Sequence, residues 1–93
     1  MGIVKLHDPN ANIDYGFDWV DFLSTGEAVA SSTWRSSSTD VTLSSAAKTT
    51  RVTSVFATGG TPGDVVRLIN KMTTNSAPAR VDERVVVLRI AQR

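Results

Sequence analysis

This sequence predicts an all-β fold, a sandwich or small barrel of about seven short strands, and three observations carry the prediction. Hydroxyl and β-branched residues are abundant, with ten Ser and eleven Thr among 93 residues, a composition that suits pleated, half-buried surfaces. Several segments alternate apolar and polar residues with the period of two that marks a strand with one buried face. Turn residues separate those segments at intervals of roughly 8 to 12 residues, the rhythm of antiparallel sandwiches and barrels. At this length the chain makes one domain, residues 1–93, with a modest core.

Ile3-Val4-Lys5-Leu6 reads as a first strand, stopped by the turn chemistry of His7-Asp8-Pro9-Asn10. From Ile13 to Trp19 the apolar residues fall at 13, 15, 17 and 19, with Asp14, Gly16 and Asp18 between them, so one face is aromatic. Val20-Asp21-Phe22-Leu23 breaks the alternation and predicts a turn closed by Ser24-Thr25-Gly26. A strand over Glu27 to Trp34 follows, in which Ala28, Ala30 and Trp34 share one parity. After the solvated run Arg35 to Asp40, Val41-Thr42-Leu43 predicts a brief strand, and Thr50 to Ala57 another, with Val52 and Phe56 on one face.

Thr58-Gly59-Gly60-Thr61-Pro62-Gly63 is the strongest turn signal in the chain. Asp64 to Thr74 fits two patterns. Val65, Ile69 and Met72 suit a helix, while Val66, Leu68 and Met72 suit alternate positions of a strand. Glu83 to Ala91 is clearer, since Val86, Leu88 and Ile90 alternate with Val85, Val87 and Arg89, and the strand is buried on at least one face.

Ten basic and nine acidic residues leave a formal charge of +1, so neither nucleic acid nor an anionic membrane is an expected partner. Cysteine is absent, which excludes disulfides and thiolate chemistry. The first residues lack the apolar run of a secretory signal, and Leu6 stands where a myristoylation motif wants Ser or Thr, so synthesis in the cytoplasm is expected. No segment approaches the roughly 20 apolar residues of a spanning helix.

Chemistry-bearing constellations are weak. His7 beside Asp8 invites comparison with a base and its orienting acid, but neighbours on a strand point to opposite faces, and a solvated turn pair is expected. Asp14, Asp18 and Asp21 match no calcium loop. The Gly-rich turn lacks the Lys-Ser/Thr end of a phosphate loop. No catalytic, cofactor-binding or metal-ligating residue is assigned. Tyr15, Phe17, Trp19, Phe22, Trp34, Phe56, Val86, Leu88 and Ile90 are the candidate core, because large aromatics in a small domain are usually buried. The arginines Arg80, Arg84, Arg89 and Arg93, together with the strand residues Ile3, Val4 and Leu6, are the candidate contact surface.

Several motifs in one order resemble a known family. They are His7-Asp8-Pro9-Asn10-Ala11, Ile13 to Trp19 with Phe22-Leu23, and Ala30-Ser31-Ser32-Thr33-Trp34. Thr58-Gly59-Gly60 with Gly63, Asn70 to Thr74, and Arg80-Val81-Asp82-Glu83-Arg84 before the last strand complete the set. The chain resembles small bacteriophage virion proteins of the fibre-tail adaptor or head-tail region type. That resemblance implies a strand over Asp64 to Thr74, an immunoglobulin-like β-sandwich, no catalytic residues, no cofactor, and location in the virion. It implies contacts with other virion proteins, portal or neck, tail or fibre, or capsid, and a homo-oligomer in the particle. Residues 1–8 are then a candidate arm for exchange with a neighbour. Capsid decoration is the alternative role, and an immunoglobulin-like adhesion or carbohydrate-binding module the third.

Overall fold

The computed structural model describes residues 3–91. Seven strands follow one another along the chain: β1 (Ile3–His7), β2 (Asn12–Asp18), β3 (Val29–Ser36), β4 (Val41–Lys48), β5 (Val52–Gly59), β6 (Val65–Thr74) and β7 (Val81–Ile90). They form two sheets, one of four strands ordered β1-β7-β6-β3 and one of three ordered β2-β5-β4. Strands two to seven thus hold the positions of strands B to G of an immunoglobulin sandwich, with G-F-C in one sheet and B-E-D in the other. β1 joins the first sheet by running parallel to β7, from Ile3 opposite Val86 to His7 opposite Ile90. All other strand pairings are antiparallel.

Segment 64–74 is a strand, and its parity explains why. Val66, Leu68, Asn70, Met72 and Thr74 are buried while Val65, Arg67 and Lys71 are exposed, a two-residue period that a helix could not satisfy. The core lies between the sheets, where Tyr15, Phe17 and Trp19 from the second sheet's side meet Val66, Leu68, Met72, Val86, Leu88 and Ile90 from the first. Phe17 stacks on the half-buried Trp34 at a centroid distance of 5.8 Å and 10°. Phe22, also half-buried, meets Trp19 edge-on at 5.9 Å. The Phe22 segment is a turn, with the Phe22 and Leu23 amides donating to the Trp19 carbonyl.

Phe56 corrects the expected core. It is 37% exposed, because β5 turns Thr53, Val55 and Ala57 inward and leaves Phe56 on the outer face. Both faces of that segment carry apolar residues, and a buried hydrogen bond from Trp19 to Thr53 decides between them. In β3 a register shift between Val29 and Ser31 reverses the parity, so Val29 is buried and Ala30 is exposed while Trp34 still faces inward. β4 runs on to Lys48, farther than its sequence suggested, across a second irregularity between Ser44 and Ala47. Ile13 shares the inward parity of Tyr15 but is exposed near the end of β2.

The glycine turn has a steric reason. Gly59 sits at φ +95°, and a Cβ there would stand 2.5 Å from the Asp40 carbonyl oxygen, so only glycine lets β5 pass the start of β4.

Candidate assembly surface

Three constructions stand out, one buried between the sheets, one joining two loops at the surface and one on an outer sheet face. The first bridges the sheets without cysteine. The Trp19 indole N–H donates to Thr53 Oγ1 at 3.0 Å and to Asn70 Oδ1 at 3.2 Å, and the Thr53 hydroxyl donates to Asn70 Oδ1 at 2.6 Å. The Asn70 amide then donates to Ser32 Oγ and to the Thr33 carbonyl, at 2.8 and 3.0 Å. β5 is thereby tied to β6 through the fully buried Thr53 and Asn70, and on to β3 through the half-buried Ser32. Arg84 closes the site from outside, its guanidinium 4.2 Å from the centre of the Trp19 ring and bonded to the Asp18 carbonyl.

The second ties the loop before β3 to the β6–β7 hairpin. Arg80 pairs with Glu27 through two nitrogens, donates to the Phe22 carbonyl at 2.7 Å and lies 4.3 Å from the Phe22 ring. Ser76 and the Ser24 amide also donate to Glu27. The Arg80 guanidinium, then the Ser24 amide and the Ser76 hydroxyl, hold the Glu27 carboxyl well below the usual carboxylate range. Arg80 and Arg84 are therefore engaged within their own chain. Arg93 lies outside the described residues.

His7 is a correction of a different kind. It is buried rather than solvated, because the parallel pairing of β1 with β7 turns its ring inward, where Nδ1 lies 2.7 Å from the Tyr15 hydroxyl. Burial lowers the imidazole pKa, against a smaller opposing pull from Asp8. Asp8 bonds the Asn10 amide instead of the ring, so no base and orienting acid are assembled. Among the described residues no group of three His, Asp or Glu side chains stands close enough to hold a metal ion. No helix among them is long and apolar enough to cross a membrane.

The third construction is the outer face of the four-stranded sheet. Register places Val4 beside Val87 and Leu6 beside Arg89. Across the next ladder Val87 lies opposite Arg67, Arg89 opposite Val65, and Val85 opposite Ile69. Six aliphatic side chains, Val4, Leu6, Val65, Ile69, Val85 and Val87, thus share one side of three adjacent strands. Val4, Leu6 and Val65 are 61, 55 and 54% exposed. An antiparallel sheet facing water normally carries polar residues there, and apolar patches on one face mark contact sites. The sequence signal was the unbroken run Val85-Val86-Val87-Leu88, which offers apolar residues to both sides of one strand. The side chain of Ile3 is not described.

The chain is thus an immunoglobulin-like sandwich with a buried hydrogen-bond network between its sheets and an aliphatic sheet face turned outward. Comparison with known families places it more narrowly: residues 7–89 match the family described as podophage GP4 fiber-tail adaptor protein gp77. The chain belongs to that family of phage structural adaptors, which makes it a virion component. No curated protein matches the chain.

Proposed function

We propose that this protein joins fibre to tail in a podophage-type particle as a non-enzymatic building block, binding its neighbours through the outer face of the four-stranded sheet. The observation that carries the reading is the cluster of Val4, Leu6, Val65, Ile69, Val85 and Val87 on that face, in a chain of the fibre-tail adaptor family. Polar contacts come from Arg67 and Arg89, which stand among these aliphatic residues and have no carboxylate within 4 Å among the described residues. Arg80 and Arg84 contribute indirectly, by fixing the turn that carries Phe22 and the indole of Trp19.

The test is the double variant Leu6→Glu with Val87→Glu, which charges the centre of the face without touching the core. The purified variant should fold with an unchanged circular-dichroism spectrum, yet be absent from particles, which should lack fibres in electron micrographs. Fully fibred particles containing the variant at parental copy number would overturn the proposal.

A further inference from the structure

We propose that the aliphatic face of one copy is covered by the outer face of the three-stranded sheet of the next copy, a head-to-tail contact that repeats around the particle. The inference rests on the reading of the aliphatic face as an assembly surface and names its occupant.

The two outer faces differ in a complementary way. On the four-stranded side, Arg67 and Arg89 stand among aliphatic residues, each in register with valine or leucine neighbours. Lys71 adds positive charge, while Arg35 is spent on Glu83 at 3.0 Å. On the three-stranded side the outward charges of the strands are acidic, since Lys48 of β4 lies opposite the inward Thr53 and donates to the Val29 carbonyl. Asp14 is in register with Phe56, and Asp18 with Val52. Asp14 has no cation within 4 Å among the described residues, and Asp18 has only the exposed Arg51 at 3.7 Å.

Shape follows the same division. Phe56 stands 37% exposed above Gly16, Ser44, Ser54 and Ala47, all smaller than itself. A single aromatic knob beside an unpaired carboxylate fits a face of aliphatic side chains threaded by unpaired guanidinium groups, because aromatic anchors ringed by polar contacts are what interfaces favour. Pairing two aliphatic faces with each other would set Arg67 and Arg89 of one copy against those of the other, and like charges across an interface are disfavoured. The slab measures 44 by 24 Å by its backbone, room for the roughly 800 Å² per partner of a stable contact. Since the two faces lie on opposite sides of one sandwich, the contact is heterologous and generates a ring when its rotation closes.

Charge reversal tests it. Asp14→Arg and Arg67→Asp are each surface changes, and thermal melts establish that both variants fold. In sedimentation velocity across protein concentration, the parent should associate, and each variant alone should associate at least about ten-fold more weakly. An equimolar mixture of the two should reassociate, because every contact then joins opposite charges. A parent that stays monomeric, an Asp14→Arg variant that associates like the parent, or a mixture no better than its components would each overturn the inference. If one of these occurs while Leu6→Glu with Val87→Glu still loses incorporation into particles, the aliphatic face serves a different virion protein and only the self-contact fails. If that double variant also incorporates normally, both readings fail.

Discussion

Replacing Asn70 by leucine keeps the branching and heavy-atom count of the side chain while removing its hydrogen bonds, so it tests the polar network with the bulk of two methyl groups as the one added packing cost. Asn70 is fully buried. In the variant the Trp19 N–H retains Thr53 Oγ1 at 3.0 Å, but the Thr53 hydroxyl loses the acceptor that it reached at 2.6 Å. Ser32 is only half-buried and can turn to water. One buried hydroxyl without a partner costs about 1–3 kcal/mol, and the lost bonds to β3 add to it, so a total of about 2–3 kcal/mol is expected. For a domain of this size that lowers Tm by about 8–24 °C. Thermal melts followed by circular dichroism at one fixed protein concentration measure it, since association would shift the midpoint. Adding Thr53→Val should not restore Tm, because it exchanges the unpartnered hydroxyl for a buried Trp19 N–H with neither acceptor. A leucine variant within about 3 °C of the parent, or a double variant more stable than the single one, would refute the reasoning.

Two further predictions concern pH and one the glycine turn. Burial holds the folded His7 below its ordinary 6.5, so the unfolded chain takes the proton first; stability is complete above that pH and falls as pH drops through it. His7→Gln should flatten urea midpoints between pH 7.5 and 5.5, and parallel profiles for parent and variant would contradict this. Glu27, held below its ordinary 4.5 by Arg80, contributes stability above that pH which is lost on further acidification, and Glu27→Gln should abolish that second decline when the urea titration is extended below pH 4.5. Gly59→Ala should cost more than about 2 kcal/mol in denaturant melts, since it adds a carbonyl clash to backbone strain. Gly26→Ala, at φ +80° with nothing within 4 Å of its Cβ, should cost less.

Strand positions were legible because alternation is a local property. The last strand, the aromatic strand and the turn at Gly59-Gly60 all announce themselves within ten residues of sequence. What was not legible depended on distant partners. Phe56 is expected inside because large aromatics in a small domain are usually buried, yet Thr53 is turned inward to meet an indole 34 residues earlier. Asn70 reads as a polar interruption of its strand until Trp19, 51 residues away, is brought to it. His7 reads as turn because nothing nearby reveals that β1 will lie parallel to β7. Of the proposed assembly face, Val4 and Leu6 stand out in the sequence. Val65 and Ile69 do not, because a segment that fits helix and strand alike has no defined outer face.

The buried network and the outer faces are parts of one mechanical problem. Immunoglobulin domains with the conserved disulfide fix their two sheets covalently between the strands equivalent to β2 and β6, and this chain has no cysteine with which to do so. Apolar packing alone resists separation of the sheets more than it resists sliding, because dispersion contacts are non-directional. Hydrogen bonds are directional. The chain from Trp19 through Thr53 and Asn70 to Ser32 crosses between the sheets and opposes sliding at the centre of the sandwich. In head-to-tail contacts between opposite faces, any error in the angle between the sheets is added once per copy, so closure of a ring demands a fixed angle. If copies meet head to tail as proposed, this polar network is the feature that would set the angle at which identical copies meet after a full turn.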